Sequence, residues 1–319
     1  MGTEAGVTER FAVLSVGTNS TRMLLADMRP QIPHVVLART IGTRIGEGLG
    51  ERGELGEEPM ARTLVALREY ANGVRNRCAK ILVVATDALR RAENAEEFAE
   101  RVRDATGAPL RVLSGDDEAR ASFRGAVGGL PPFAGSSGVV DVGGGSTEYA
   151  VGSQIDPTSI ASYEIGAVRL TERFPALSGR YGAVDGQSLT SAVGVAAETL
   201  APMHAQPSVE RLLLVGGSAT TTAAIAHGGN AARASELTRP LLTRTLERLC
   251  TIDLEKRKEL PGMRPQRADI LPAGLILLAA TMGLVTQERA IVAPGDILLG
   301  ILLQERERAE GHVGSEDSS

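Results

Sequence analysis

The segment Asp141-Val142-Gly143-Gly144-Gly145-Ser146-Thr147-Glu148 sets two carboxylates on either side of three consecutive glycines. Bare glycine amides let an anion approach the backbone, because no side chain stands in the way. A carboxylate at a strand end beside such an anion is placed to hold Mg2+ through water. Gly143, Gly144, Gly145 and Ser146 are therefore candidate phosphate ligands, with Asp141 and Glu148 flanking them as candidate metal ligands. A second stretch repeats the pattern: Val13-Leu14-Ser15-Val16-Gly17-Thr18-Asn19-Ser20-Thr21. At constant offset, Ser15 stands where the other copy has Asp141. Two such turns facing each other across a cleft would hold the two ends of a phosphate chain.

Three further clusters could join them. Ser114-Gly115-Asp116-Asp117-Glu118 has an acid three residues after a serine, a capping box that explains the acids structurally. The chemical alternative makes one of these acids a general base that activates water. Thr86 and Arg90 follow an apolar run, Ile81-Leu82-Val83-Val84-Ala85, and suit phosphate oxygens; a solvated charge pair at a helix start would look the same. Gly216, Gly217 and Ser218 lead into a Thr/Ala-rich helix, whose N-terminus is an anion site in principle. On spacing alone, a tight glycine hairpin with ordinary turn carboxylates accounts for 141–148 as well as the phosphate reading does. No GxxxxGK[ST], GxSxG, HExxH or Cys/His cluster is present.

The elements that must position these residues can be read from apolar spacing. Strands are expected at 11–16, 23–26 and 35–40, and a long helix at 57–77. A fully apolar β-branched run at 81–85 reads as a buried central strand. Asn94 opens a helix that Gly107 and Pro109 end near 106. A short strand follows at 110–113, then a helix from Ser114. The Gly/Pro/Ser-rich stretch 128–138 is the clearest linker. Beyond it come the second strand–turn–strand, a strand at 159–163, helices at 167–174 and 186–200, a buried strand at 212–215, and a mostly helical remainder. Two α/β halves, each beginning with an antiparallel hairpin, imply mixed sheets flanked by helices. The domains are expected at 1–127 and 128–308, with a disordered Gly/Ser/Asp/Glu tail at 309–319.

At 319 residues the chain suffices for two domains, and 43% apolar with 23% charged residues is a soluble globular composition. Aromatics at 3%, without Trp, argue against a base-stacking surface for single-stranded nucleic acid, and a net charge of −5 advertises no polyanion-binding surface overall. Lys80, Lys256 and Lys258 are the only lysines; all other basic residues are arginines, the better partner for phosphate. Cys78 and Cys250 are far apart and match no metal spacing. No targeting or membrane segment is read, so the expected compartment is cytoplasmic.

Taken in order, these motifs resemble the exopolyphosphatase / guanosine pentaphosphate phosphohydrolase (Ppx/GppA) family of the actin–Hsp70–sugar-kinase superfamily. The matching stretches are Val16-Gly17-Thr18-Asn19-Ser20, Arg44 with Gly46-Glu47-Gly48-Leu49, Ala85-Thr86 with Ala88-Leu89-Arg90, the Ser114 and Asp141 elements, Gly166-Ala167-Val168-Arg169-Leu170-Thr171-Glu172, the Gly216 turn, and Arg267-Ala268-Asp269-Ile270-Leu271-Pro272-Ala273-Gly274. The resemblance implies two ribonuclease-H-like domains with an interdomain cleft, and Mg2+-dependent hydrolysis of a terminal phosphoanhydride. It makes Glu118 the general base, Asp141 and Glu148 the metal holders that also order the attacking water, and Gly143 to Ser146, Thr18 to Ser20 and Arg90 the phosphate ligands. It also implies the short, two-domain form. The family normally has Asp at Ser15, and Ser or another uncharged residue at Asp87, where a carboxylate could repel phosphate or pair with Arg90 or Arg91.

The leading expectation is an exopolyphosphatase acting on polyphosphate, with short chains favoured. Hydrolysis of guanosine pentaphosphate is the near alternative. A binding or sensor protein that lost efficient chemistry is a third, kept open by Ser15. No nucleic-acid polymer or membrane partner is expected, and the oligomeric state, a homodimer included, is left open.

Overall fold

The first apolar runs form an antiparallel meander, and the pattern of alternate residues shows why. The computed structural model describes residues 9–30, 33–229 and 235–316. Strands β1 (Arg10–Val16), β2 (Thr21–Asp27) and β3 (His34–Ile41) are followed by α1 (Leu49–Arg52), α2 (Glu57–Val74), β4 (Lys80–Ala85), α3 (Asp87–Arg91), α4 (Ala95–Thr106), β5 (Leu110–Val112) and α5 (Gly115–Gly128). The sheet order is β3-β2-β1-β4-β5, with β4 parallel to β1 and β5 parallel to β4. Ala12, Leu14 and Val16 face one core with Met60, Leu67, Phe98 and Val102, whereas Val13, Leu24 and Val84 face a second. Covering both faces is what makes β1 read as an almost unbroken apolar run.

The second half repeats the plan. Its elements are β6 (Ser137–Val142), β7 (Thr147–Gly152), β8 (Ser159–Tyr163), α6 (Ala167–Arg173), α7 (Gly186–Leu200), β9 (Arg211–Val215), α8 (Gly216–Ala226), β10 (Glu236–Thr238), α9 (Arg239–Cys250), α10 (Leu254–Lys258), α11 (Leu271–Leu284) and β11 (Arg289–Val292). Strand order is β10-β11-β9-β6-β7-β8, again an antiparallel hairpin and third strand beside parallel neighbours. Each sheet thus has the mixed, helix-flanked arrangement expected of the two domains. Helix α11 is apolar on nearly every side because it packs on α6, α7, α8 and α9. No described helix is long and apolar enough to cross a membrane.

By internal contacts the chain divides into two units, Met1–Pro131 with Gly295–Ser319, and Pro132–Pro294. This differs from the expected domains at the C-terminus. Helix α12 (Ile297–Glu316) returns to the first unit instead of closing the second. Its Ile297, Leu298, Ile301 and Leu302 supply the second core under Val13 and Leu24. Gly125 and Gly300 let α5 and α12 touch backbone to backbone; a Cβ on Gly300 would collide with the Ala121 carbonyl. The expected tail from Ala309 continues α12 as far as Glu316, and 317–319 lie outside the described residues.

Candidate active site

In the first unit, the turn between β1 and β2 closes on itself, the Gly17 amide donating to Ser20 O at 3.0 Å. A neighbouring loop holds the turn's outer carbonyls: the Arg44 amide donates to Asn19 O at 3.0 Å and the Gly46 amide to Thr18 O at 3.1 Å. Only glycine fits at 46, since a Cβ there would sit 2.5 Å from Thr18 Cγ2. Arg44 adopts φ 50°, a left-handed conformation costly for a residue with a side chain. Asn19 is 4% exposed, and its Nδ2 has no hydrogen-bond partner among the described residues. Nor do the amides of Thr18 and Asn19 make a backbone hydrogen bond there. Buried donors without partners are uncommon and fit an anion in the turn.

Beside this turn, β4 ends at Ala85, and the Thr86 amide bonds Val16 O at 3.2 Å. Helix α3 then presents Arg90 toward the start of α5. Ser114 caps α5, its Oγ accepting from the Asp117 amide at 3.0 Å, as the capping box predicts. Of the three acids in that first turn, Asp116 is exposed, Asp117 pairs with Arg111 at 3.3 Å, and Glu118 alone is buried. Glu118 Oε1 accepts from Arg90 Nη1, which also donates to Leu113 O at 2.8 Å. Asp87 is buried and pairs with both Arg90, at 3.8 Å, and Arg91, at 3.4 Å. Two residues singled out for different reasons, Glu118 and Arg90, thus form one ion pair, and Asp87 resolves its ambiguity by pairing.

In the second unit, Asp141 and Glu148 stand directly opposite each other in the β6–β7 ladder. Like charges at such a position repel, and a cation nearby would relieve the repulsion. Ser162 Oγ donates to Glu148 Oε1 at 3.0 Å, from the neighbouring position on β8. The glycine turn copies the first: the Gly143 amide donates to Ser146 O at 3.0 Å. The Gly143 and Gly144 carbonyls accept from the amides of Ala167 at 2.9 Å and Val168 at 2.8 Å, which ties the turn to the start of α6. Gly144 and Gly145 amides make no backbone hydrogen bond among the described residues. Gly216 opens α8 at φ 84°, and a Cβ there would sit 2.5 Å from Asp141 Oδ1.

These details redistribute the expected roles. Gly17 and Gly143 spend their amides closing the turns, so the donors available to an anion are those of the next residues. Ser218 is 1% exposed, and its Oγ donates to Val142 O at 3.5 Å against Gly274, so it ties α8 to β6 and points away from solvent. Gly217 lies under the guanidinium of Arg267, itself 9% exposed. Only the fold brings Arg267 over Gly217 and the Arg44 amide against Asn19 O, so neither is legible as a site residue from the sequence. The same holds for Arg22, paired across the β1–β2 ladder with Ser15 and bound to Asp296. The hairpin that carries Asp and Glu in the second unit therefore carries Ser and Arg in the first.

Among the described residues no three His, Cys, Asp or Glu side chains form a ready metal cage. Asp141 and Glu148 still fit Mg2+, which takes one or two carboxylates and completes its shell with water and substrate phosphate.

A sequence model of the Ppx/GppA phosphatase family matches residues 24–309. The chain belongs to this family. It is 34% identical over 323 residues to Exopolyphosphatase 2 of Mycobacterium tuberculosis, covering 92% of this chain and 98% of that protein. The crystal structure of the Aquifex aeolicus Ppx/GppA family member is 27% identical and superposes with a TM-score of 0.78, covering 94% of this chain and 98% of that one. An exopolyphosphatase structure from Cytophaga hutchinsonii, 24% identical with a TM-score of 0.83, covers 93% of this chain and 97% of that one and shares the fold. The family is one of phosphatases.

Proposed function

We propose that this Ppx/GppA protein is an exopolyphosphatase, hydrolysing the terminal phosphoanhydride of polyphosphate with Mg2+ as cofactor. The observation that carries the reading is the pairing of buried Glu118 with the half-buried Arg90 on the unit whose glycine turn holds the unpartnered Asn19 donor. The similarity to Exopolyphosphatase 2 supports the choice of substrate. In the first unit the turn amides after Gly17, with Asn19 and Arg90, bind phosphate oxygens; in the second the amides after Gly143 do so. Glu118, ionised beside Arg90, orients a water molecule and takes its proton as the water oxygen bonds to the terminal phosphorus. The bridging P–O bond breaks, and the electron pair leaves on the shortened chain. Arg90 stabilises charge on the transferring group, the dominant task in phosphoryl transfer. Mg2+ on Asp141 and Glu148 supplies further charge neutralisation when bound.

The test is orthophosphate release with Mg2+ from short polyphosphate, long polyphosphate and guanosine pentaphosphate. Glu118→Gln keeps shape and removes basicity, so turnover is expected to drop about a hundredfold or more while substrate binding persists. Near-normal turnover in Glu118→Gln would leave Glu118 only a helix-start acid. Faster release from guanosine pentaphosphate than from either polyphosphate would transfer the assignment to the nucleotide.

A further inference from the structure

Asp87 stands out because the site does not need it. It is a buried carboxylate three residues before an arginine assigned to bind phosphate. A solvated charge would be harmless there, but Asp87 is 4% exposed, so little water screens it.

The geometry shows what it does. Arg90 spends Nη1 on Leu113 O and Glu118 Oε1. Its Nη2 lies 3.8 Å from Asp87 Oδ1, an ion pair too long for a hydrogen bond. Asp87 therefore acts on Arg90 by charge alone and leaves the Nη2 protons available. Arg91 Nη1 holds the far oxygen of Asp87 at 3.4 Å and fixes its orientation. Asp87 and Glu118 thus both draw on the Arg90 charge, and without Asp87 the carboxylate paired with Arg90 is Glu118.

We propose that Asp87 is a positioning residue that shares Arg90 with Glu118 and so weakens the arginine's hold on phosphate. It acts through Arg90, not on the reacting atoms. The consequence is a site that binds product orthophosphate loosely and releases it readily, at the expense of substrate affinity. The inference rests on Arg90 being a phosphate ligand, as assigned above.

The experiment uses the full chain with saturating Mg2+. Orthophosphate affinity is measured by calorimetry, and KM and kcat by phosphate release from tripolyphosphate. Asp87→Asn should tighten orthophosphate binding and lower KM, each about tenfold, as expected when a buried charge a few ångströms from the anion is removed. In the same variant kcat should fall, because product leaves more slowly and Arg90 grips Glu118 harder. Asp87→Glu, which restores the charge, should return both constants toward the parent. Arg91→Gln unmasks the Asp87 charge and should move both in the opposite direction, weakening phosphate binding; it also serves if Asp87→Asn does not fold. Arg90→Gln separates the two levels of the argument. If Arg90→Gln binds orthophosphate as the parent does, the phosphate role of Arg90 is wrong. If Arg90→Gln loses binding while Asp87→Asn or Arg91→Gln leaves it unchanged, only the role of Asp87 is refuted.

Discussion

Gly216 offers a sharp test of the carboxylate site, because one added methyl group acts on two separable things. The residue sits at φ 84°, so Gly216→Ala forces an L side chain into left-handed backbone. That costs about 1–2 kcal/mol, or roughly 2–8 °C of melting temperature for a domain this size. The new Cβ would also lie 2.5 Å from Asp141 Oδ1, closer than real carbon–oxygen contacts permit, whereas its next neighbours, Asp141 Cγ and Val142 O, are at an ordinary 3.6 Å. The carboxylate must therefore swing away. If Asp141 holds Mg2+, displacing it should raise the Mg2+ concentration for half-maximal rate about tenfold or more, the usual loss when a metal ligand's support is disturbed. Gly53→Ala is the control: Gly53 has φ 73° but only ordinary contacts, the nearest being Glu93 Oε1 at 3.4 Å. It should lose similar stability with no change in metal dependence. The assay is phosphate release across a Mg2+ titration beside thermal melts of both variants. A Gly216→Ala protein that melts earlier yet needs no more Mg2+ would falsify Asp141 as a metal ligand.

Two further expectations follow from the charges of the first unit. Ser15→Asp places a carboxylate across the ladder from Arg22, and the site should then need less Mg2+ for half-maximal rate; a variant that is more stable but unchanged in its Mg2+ titration would mean that Arg22 captures the new charge and Ser15 has no part in metal binding. The Asp27 carboxyl is held down to about 2 from an ordinary 3.8, chiefly by the hydrogen bond from the Arg29 side chain, so its stabilisation is complete above about pH 4 and is lost as pH falls through about 2. Arg29→Gln should accordingly lower the urea midpoint near neutrality and match the parent near pH 2; an equal deficit at both pH values would place the effect in packing instead.

Much of the fold was legible because both signals it rests on are local. Alternation and apolar runs marked β1, β2, β4, β6 and β9, and capping residues marked helix starts: Ser114 does cap α5, and Gly107 ends α4 at φ 75°. What was missed is short or depends on distant partners. Strands β10 and β11 have three and four residues and are strands only because β9 and each other supply hydrogen bonds. Helix α3 has five residues, too few to show a period. Helix α12 carries an apolar pattern that says it is buried but not against which core.

The site divides in the same way. Sequence alone determined the repeated glycine turn, the Asp141 and Glu148 pair and the Ser15 departure, since a turn's chemistry lies within a few consecutive residues. Tertiary structure alone decided that Glu118 is the buried acid among three neighbours, that Arg90 holds it, and that Arg267 covers Gly217 while Ser218 points inward. Those facts join residues 28 to 76 positions apart, and some 50 positions in the case of Arg267 and Gly217. Which charge meets which partner at such separations is set by how helices pack on a sheet. Packing depends on the whole core, and no short stretch of sequence encodes it.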